Sequence, residues 1–402
     1  MRIVLASVLK PVTDPRLLAR LGRTLAELPG AEVHILAHVA TDAPTARPDT
    51  ERPNVFLHPI FDFPRLSLTR ARAGLTLRRS LRKIKPDLLV VGTAELLPAG
   101  RWWQGRTGGL LVYDVRENYA LNLRTQGVFP AVVAGALAAL IERTEAAAAP
   151  HLAGVLLAER VYAEQLPWLA HCRRVATIEN KYQPPAGLPP AVRPPLWPGR
   201  PVRLLVSGTL SELYGTFDAV AAVRGVRATC NRPIELHLVG HAPQADDAQR
   251  LRALAAEHSW LHLQGIETPV PHAHIVASIR HADIGLLAYR QHPSLDGCIP
   301  TKLWEYLGEG LPIINRRANG WSTLISETGG WGNYDQSRVA FVMHNDDPAP
   351  VSQSLDFASA LESQLTTLLA HSVGTATSPP TEAFWVSEAA RLLAFFRVLA
   401  SA

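Results

Sequence analysis

The part of this 402-residue sequence best suited to binding chemistry is the segment Pro300-Thr301-Lys302-Leu303-Trp304-Glu305-Tyr306. Pro300 and Thr301 are typical of a helix start. Lys302 would lie at the N-terminus of that helix, where its ammonium can contact a diphosphate. Glu305 follows one turn later, where its carboxylate can accept two hydrogen bonds from a ribose diol. The residue types and their spacing therefore predict a helix end that binds a nucleotide.

A second candidate binding element is the loop Ser207-Gly208-Thr209, which follows the apolar run 204–206. A small residue, a glycine and a hydroxyl residue allow backbone N–H groups to approach a phosphate closely, and the next helix adds its positive N-terminal end. The loop is neither a Walker loop nor a G-x-G-x-x-G motif. An ordinary strand-to-helix turn therefore explains it equally well.

Apolar runs that alternate with helical patterns supply the elements that would position these residues. We predict strands at 2–7, 32–39, 55–57, 88–92, 110–114, 154–158 and 174–178 in the front half, and at 203–208, 234–239, 262–263, 284–287 and 313–314 in the back half. Continuous apolar strands between helices indicate parallel sheets covered on both faces. The predicted fold class is α/β, with two doubly wound parallel-sheet domains whose ligands bind at the carboxyl ends of the strands.

The boundary between the two domains is predicted at 184–201, where eight of 18 residues are proline. Proline fixes φ and removes a backbone donor, so this segment is expected to be a stiff linker. It separates an N-terminal domain, 1–183, from a C-terminal domain, 202–380. Apolar residues at helical spacing predict an amphipathic helix within 381–402.

Composition and charge narrow the classes of function. With 47% hydrophobic and 19% charged residues, the chain is globular rather than disordered. Residues 1–183 carry 24 basic and 16 acidic side chains, whereas residues 184–402 carry 16 basic and 19 acidic ones. The excess of positive charge lies in the front half, so an anionic partner is expected there. The three cysteines form no C-x-x-C pair, which argues against a disulfide scaffold or zinc site and for a cytoplasmic setting. No basic–aromatic motif supports nucleic-acid binding.

Two segments bear on contact with a membrane. Residues 70–85 hold seven cations and no acid, with leucines interleaved. An amphipathic helix there would either lie in solvent or dock peripherally on anionic lipids at the inner face of the membrane. The uncharged run 125–141 is too short to span a bilayer. It predicts a buried helix, with a membrane-dipping helix as the alternative.

The segment 300–306, with Gly310-Leu311-Pro312 after it, resembles the donor-site signature of group 1, family 4-like glycosyltransferases of the GT-B fold. Residues 206–210 resemble the opening of that family's nucleotide domain, and 238–240 and 282–286 stand where it has later strands. In the front half, residues 8–11, 113–118 and 179–181 resemble members of a bacterial subgroup. The resemblance implies two Rossmann-like domains facing a cleft, with the C-terminal helix crossing back to the N-terminal domain. It also implies retaining transfer of a sugar from a nucleotide-diphosphate sugar to a glycan or lipid-linked acceptor.

The resemblance places the donor in the back half. In the family, two glutamates stand eight positions apart, and the second of them contacts the ribose. Glu305 matches this second glutamate. The first falls at Gly297, so the adjacent Asp296 is the candidate substitute. Because 207–215 lacks lysine and arginine, Lys302 and backbone N–H groups would hold the diphosphate, together with an arginine such as Arg290. The predicted donor-binding residues are Gly208, Thr209, Gly240, Arg290, Asp296, Thr301, Lys302 and Glu305.

The front half is expected to supply the acceptor side. Asp114 and Glu117 follow a predicted strand, so a carboxylate there can orient an acceptor hydroxyl or take its proton. The alternative is that Asp114 caps the next helix and Glu117 completes the cap. The predicted catalytic residues are Asp114 and Glu117, and the predicted acceptor-side residues are Lys10, Asp14, Asn118 and Lys181.

No metal ion or other cofactor is expected, because the sequence contains no D-x-D motif to hold a divalent ion on a diphosphate. Helix dipoles and cations would then stabilise the leaving group. Two alternatives remain. A non-catalytic GT-B-like protein that binds a nucleotide or a partner is kept open by Gly297. A nucleotide-sugar epimerase would need acid and base groups around the donor sugar, and no matching His/Glu set stands out.

Overall fold

The structure of the chain is a computed structural model that describes residues 1–39, 46–63, 67–185, 187–189, 191, 199–316, 321, 340–342, 379 and 381–400. The chain forms two compact units. The first contains Met1–Gln183, Pro293–Cys298 and Trp385–Ala402, and the second contains Pro184–His292 and Ile299–Phe384. Nearly all of 317–380 and the middle of the predicted linker, 192–198, lie outside the described residues.

The strands of the first unit are β1 (Arg2–Pro11), β2 (Glu32–His38), β3 (Arg47–Pro48), β4 (Val55–Phe61), β5 (Leu88–Val91), β6 (Leu110–Val115), β7 (Gly154–Leu157) and β8 (Val175–Thr177). They form one sheet in the order β3-β4-β2-β1-β5-β6-β7-β8, and only the β3–β4 pair is antiparallel. Those of the second unit are β9 (Val202–Thr209), β10 (Ile234–His241), β11 (Leu261–Ile266), β12 (Ile284–Leu287), β13 (Ile313–Asn315) and β14 (Ala340–Val342). Their order is β11-β10-β9-β12-β13-β14, and every pair is parallel.

The helices, in chain order, are α1 (Arg23–Leu25), α2 (Ala73–Ile84), α3 (Leu97–Thr107), α4 (Tyr119–Thr125), α5 (Ala131–Ala148), α6 (Tyr162–Gln165), α7 (Thr216–Thr229), α8 (Ala245–Glu257), α9 (His272–His281), α10 (Thr301–Gly308) and α11 (Trp385–Ala400), and a π-helix at Arg16–Gly22 precedes α1. Every strand predicted from the sequence is present, and the prediction of two parallel sheets is confirmed. Only the short β3 and β14 were not predicted.

Both faces of the first sheet are covered by helices. Alternate residues of a strand point to opposite sides of the sheet, so neighbouring residues belong to different cores. On β1, Val4 belongs to the core that includes Leu77 of α2, whereas Leu5 belongs to the core that includes Phe396 of α11. The C-terminal helix α11 therefore packs on the first unit, as the resemblance to GT-B enzymes implies. A third core fills the space between the second sheet and helices α7 and α8.

The uncharged run 125–141 does not form one buried helix. Helix α5 begins at Ala131, and on its apolar half only the small side chains of Ala134 and Ala138 are buried. The larger Val132 and Leu140 are 86% and 61% exposed. The prediction of a buried helix is therefore wrong, because alanines form the packed stripe and the bulkier residues face outward. None of the described helices has the length and apolar character needed to cross a bilayer.

Candidate functional site

The second unit brings the two predicted donor elements together. Helix α10 begins at Thr301, directly after its N-cap residue Pro300, and Lys302 lies in its first turn. The Lys302 side chain extends to the end of β9, where a Cβ atom built on Gly208 would lie 4.0 Å from Nζ. Thr209 and Thr301 are both exposed beside these elements. The carboxyl end of β9 and the N-terminus of α10 thus border one site.

Lys302 carries a buried cation that has no hydrogen-bond partner among the described residues. The residue is 6% exposed, and Nζ lies 5.0 Å from the ring centroid of Tyr289 and 5.8 Å from that of Tyr214. Burial lowers the pKa of this ammonium to about 8, although the charge of Glu305 acts in the opposite direction. A buried charge without a partner is costly, and such a pKa is typical of functional sites. The site is therefore electrostatically complementary to an anion.

Glu305 lies one turn after Lys302 and contacts a histidine that the sequence analysis missed. Nε2 of His272, the first residue of α9, lies 2.9 Å from Oε1 of Glu305. The side chain of Glu305 is 12% exposed and that of His272 is 39% exposed. Nothing in the local sequence signals this pair, because it forms only when α9 packs against α10. The carboxylate retains an accessible edge for a hydroxyl-bearing ligand.

Tyr306 fixes the loop after β9 to helix α10. The backbone N–H of Ser207 donates to Oη of Tyr306 at 3.1 Å, and the Ser207 hydroxyl lies 2.9 Å from the same oxygen. Burial raises the pKa of Tyr306, so it stays a neutral phenol. Both groups are buried, so this contact holds the two halves of the site in register.

Glycine is required at 240 for steric reasons. Gly240 on β10 pairs with Gly208 on β9. A Cβ atom on Gly240 would lie 1.7 Å from the carbonyl oxygen of Gly208, so any side chain would collide with the backbone. Gly208 itself has φ +83°, a conformation that favours glycine. Together they keep the backbone bare at the carboxyl ends of the central strands, where ligands bind in sheets of this type.

Arg290 is held by two carboxylates rather than left available for a ligand. Its guanidinium donates two hydrogen bonds to Asp218, at 2.8 and 2.7 Å, and lies 2.9 Å from Glu212. The hydrogen bonds to Asp218 raise the pKa of Arg290. Arg316 also pairs with Asp218. The structure therefore places Arg290 in an ion-pair cluster after β12.

Asp296 and Gly297 belong to the first unit, whereas Lys302 and Glu305 belong to the second. Gly297 has φ +73°, and a Cβ atom there would lie 2.6 Å from Cγ2 of Val161. A glutamate at this position would meet both a strained backbone and a steric clash. This packing does not accommodate a glutamate at position 297. That Asp296 replaces the missing glutamate remains a prediction.

In the first unit, Asp114 lies near the end of β6 and is fully buried. Both of its oxygens accept hydrogen bonds from Arg16, at distances from 2.5 to 3.1 Å. Arg116 lies 3.7 Å from Asp114 and pairs with Asp14. Burial would raise the pKa of Asp14, but Arg116 and Lys10 outweigh that effect and the pKa is lowered. The structure thus places Asp14 and Asp114 in a cluster with two arginines.

Glu117 is the accessible carboxylate next to that cluster. Its Oε1 lies 3.5 Å from Nζ of Lys10, and the side chains are 38% and 40% exposed. The cap of α4 comes from Asn118, whose side chain accepts a hydrogen bond from the N–H of Leu121 at 3.0 Å. The alternative prediction that Asp114 caps this helix is therefore wrong. Of the predicted acceptor-side residues, Asn118 directly follows Glu117 in the sequence and Lys10 pairs with it.

Lys181 is placed away from solvent, against the C-terminal helix. Its ammonium lies 2.9 Å from Oε1 of Glu388 on α11 and 3.9 Å from Oε2 of Glu179. All three side chains are nearly or fully buried. This arrangement stabilises the packing of α11 on the first unit. It does not bring Lys181 to the exposed Lys10–Glu117 pair.

Known structures can be compared with this geometry. No protein-family model and no curated protein matches the sequence. The structure is similar to that of sucrose-phosphate synthase from Thermosynechococcus elongatus, with a TM-score of 0.67 and 14% sequence identity. The match covers 100% of this chain and 99% of the synthase. The structure is also similar to the catalytic domain of starch synthase IV from Arabidopsis thaliana bound to ADP and acarbose, with a TM-score of 0.64 and 13% sequence identity. That match covers 100% of this chain and 99% of the catalytic domain. The chain has the GT-B fold.

An epimerase is also among the proteins that share this fold. A Listeria monocytogenes protein assigned as a UDP-N-acetylglucosamine 2-epimerase matches 98% of this chain with 95% of its own length, at 14% identity and a TM-score of 0.54. The GT-B fold is therefore found in both transferases and epimerases, and the choice between them depends on the site.

Proposed function

We propose that this GT-B protein is a glycosyltransferase that moves a sugar from a nucleotide-diphosphate sugar to a glycan or lipid-linked acceptor. The observation that carries the proposal is the buried, unpartnered ammonium of Lys302 beside Gly208. A diphosphate would supply the partner that this cation lacks. The N-terminus of α10 adds positive potential at the same place. Transfer is proposed to be retaining, as the family resemblance implies.

The neighbouring residues complete a donor site in this proposal. Glu305 accepts hydrogen bonds from the ribose hydroxyls, and the exposed Thr209 and Thr301 flank the phosphates. The bare backbone at Gly240 leaves room for the nucleobase. Lys302 and the helix end stabilise the charge that develops on the departing diphosphate, so no metal ion is required at this step. Arg290 is assigned to holding the loop after β12.

On the acceptor side, Glu117 is proposed to take the proton from the acceptor hydroxyl. It is partly exposed, whereas Asp114 is fully buried and accepts three hydrogen bonds from Arg16. A general base must reach its proton within hydrogen-bond distance, and Asp114 is not accessible. Asp114 and Asp14 instead position the end of β6, from which Glu117 projects.

An assay of nucleoside diphosphate release tests this function. A thermal-shift titration with UDP, GDP, ADP, CMP and dTDP first identifies the nucleotide. A transferase then releases that diphosphate from its sugar donor faster when an acceptor is present. Binding without acceptor-dependent release would instead identify the non-catalytic GT-B-like protein.

The epimerase alternative rests on one specific observation, the 2.9 Å contact between His272 and Glu305. This is a His/Glu pair of the kind that the sequence did not reveal. An epimerase would interconvert free sugar nucleotides without any acceptor. In deuterium oxide it would also incorporate deuterium at the epimerised carbon, because that carbon loses its proton and regains one derived from solvent; a transferase does not give this result.

Nucleotide affinity is expected to fall above about pH 8. In the free protein the pKa of Lys302 is lowered to about 8, and a bound diphosphate would raise it again. Below this value the lysine is already charged, so binding takes up no proton there. Above it, each binding event takes up close to one proton, and the dissociation constant should rise by up to about tenfold per pH unit. Calorimetry at about pH 7 and pH 9, in two buffers of different ionisation enthalpy, measures this uptake; no uptake at pH 9 contradicts the role of Lys302.

We also propose that the first unit contacts anionic lipid. The predicted amphipathic helix is present as α2, with exposed Arg79 and Lys83 opposite its buried Leu77 and Leu81. Three guanidinium groups lie over the ring of Trp102 on α3, with their central carbons 4.8 to 5.2 Å from the ring centroid. They belong to Arg78, Arg82 and Arg106. Helix α3 packs against both α2 and α5, so the exposed Val132 and Leu140 belong to the same helical layer. Cations, a tryptophan and exposed apolar residues are typical of a peripheral membrane surface.

Charge reversal on α2 should abolish this binding. The double variant Arg79→Glu/Lys83→Glu is expected to lose at least about tenfold in co-sedimentation with vesicles containing phosphatidylglycerol, because each basic residue near an anionic surface contributes about 1 kcal/mol. Arg224→Glu, which changes an exposed arginine on α7, is the control. Equal loss in the control, or no vesicle binding by the wild type at low salt, excludes this surface.

A further inference from the structure

Two strands of the second unit bring three metal-ligating side chains together. Glu235 and His237 alternate on β10 and face the same side of the sheet, and His262 on β11 stands directly opposite His237. One carboxylate oxygen and one nitrogen from each ring all lie within 4.8 Å of one another. The two imidazoles are stacked with their centroids 4.6 Å apart. Among the described residues, no other trio of His, Cys, Asp or Glu converges in this way.

Two further histidines face the same space. His274 and His281 on α9 line a pocket of about 540 Å³ together with Glu235, His237 and His262. Doubly wound sheets normally cover such a face with apolar residues. Here the strand surface under α9 is polar at this edge, so its composition is not explained by core packing.

We propose that Glu235, His237 and His262 bind a divalent transition-metal ion such as Zn²⁺, with His274 or His281 as a further ligand. Imidazole nitrogens and a carboxylate oxygen are the donor set that zinc prefers among protein side chains at sites without cysteine. Small rotations about χ2, which is a soft torsion, are enough to aim the rings at one point. The pocket leaves room for a water or a ligand in the remaining position.

The charges around the trio also fit a metal ion. Nε2 of His237 lies 3.4 Å from Oε2 of Glu235, so an anionic oxygen adjoins the imidazoles. Arg203, which also lines the pocket, is an opposing group: its Nε lies 3.9 Å from Oε2 of Glu235. Its side chain is 41% exposed, and it can therefore turn into solvent when an ion binds.

The site is separate from the proposed donor site. Glu235 precedes Gly240 by five residues on the same strand, which places it about 16 Å nearer the amino end of the sheet. An ion there would not touch the diphosphate. Metal binding at this pocket is therefore independent of whether the chain is a glycosyltransferase.

The first unit offers an internal comparison. Glu32 and His34 stand on β2, which neighbours β1 as β10 neighbours β9, and His58 lies on the next strand. There, however, the two ring nitrogens of His34 contact different partners. Its Nε2 lies 2.7 Å from Oε1 of Glu32, and its Nδ1 lies 3.0 Å from Nε2 of His58. The three groups form a chain rather than converge on one point, so this cluster is not expected to hold an ion in the same way.

Titration of the tag-free full-length chain with Zn²⁺ tests the proposal. Isothermal calorimetry is expected to show one ion bound per chain with a micromolar dissociation constant. His262→Ala and Glu235→Gln should each weaken binding at least about tenfold, and His58→Ala should leave it unchanged. His262 is exposed, so its loss is not expected to unfold the protein, and circular dichroism confirms folding in each variant.

Three results would overturn the site. The first is no Zn²⁺ binding by the wild type at about 100 µM. The second is binding that His262→Ala and His237→Ala both leave intact. The third is binding that is lost in His58→Ala instead, which would place the ion on the first unit.

Discussion

Replacing Lys302 by methionine is expected to make the protein more stable and to weaken nucleotide binding. Methionine has nearly the same length without the charge, so the variant no longer buries an unpaired ammonium. A pKa lowered from 10.5 to about 8 corresponds to a cost of about 3 kcal/mol near neutral pH, and the contact with the Tyr289 ring offsets part of it. We expect stability to rise by about 1–2 kcal/mol in urea unfolding. The affinity for the nucleoside diphosphate should fall about 30- to 100-fold, since a charge-assisted hydrogen bond contributes about 1.5–3 kcal/mol.

The chain contains a matched control for this substitution. Lys181 is as buried as Lys302, but its ammonium lies 2.9 Å from Glu388. Lys181→Met would remove the buried cation that pairs with Glu388 and leave it only the largely exposed Arg391 and the N–H of Glu179, and breaking a buried ion pair typically costs about 3–5 kcal/mol. The same substitution should therefore stabilise at one site and destabilise at the other. If Lys302→Met destabilises the protein and retains nucleotide affinity, the lysine is structural and the proposed donor site is wrong.

The comparison of the two lysines shows how far the sequence could predict the fold and the site. Apolar runs between helices were enough to predict both parallel sheets, because strands covered on both faces leave a continuous signal. Helix α10 could be predicted for a similar reason, since Pro300 and Thr301 mark its start. Whether a lysine is paired depends on contacts between distant segments. Lys181 meets Glu388 more than 200 residues later, and no local pattern encodes that distance.

The misplaced predictions have the same cause. The run 125–141 reads as apolar, but the alanines of α5 form its packed stripe and Val132 faces outward. Arg290 follows a strand as a phosphate-binding residue would, yet Asp218 from α7 neutralises it. Histidines at 237 and 262 are 25 positions apart and become neighbours only through the β10–β11 register. Residue type and spacing predict which side chains can do chemistry, whereas tertiary packing decides which of them are free to do it.

Substitutions at Asp114 and Glu117 should have opposite consequences for stability and for turnover. Asp114→Ala leaves Arg16, with a side chain 4% exposed, without the carboxylate that it chelates. Breaking a buried pair in this way costs about 3–5 kcal/mol, so the melting temperature should fall by about 10 °C for a unit of this size. Glu117→Ala removes a partly exposed pair with Lys10 and a hydrogen bond from the side chain of Asn122, and the expected change in stability is about 1 kcal/mol or less.

Substitution of Glu117 is expected to lower turnover directly, although it changes stability less than substitution of Asp114 does. If Glu117 takes the proton of the acceptor hydroxyl, Glu117→Ala should lower kcat by about 10²–10⁴-fold while nucleotide affinity stays unchanged. The double variant Arg16→Met/Asp114→Leu replaces the buried pair by apolar groups, and it should regain most of the stability that Asp114→Ala loses. It should also regain turnover, because Asp114 acts only by positioning the end of β6. A double variant that is stable but inactive would instead assign proton transfer to Asp114.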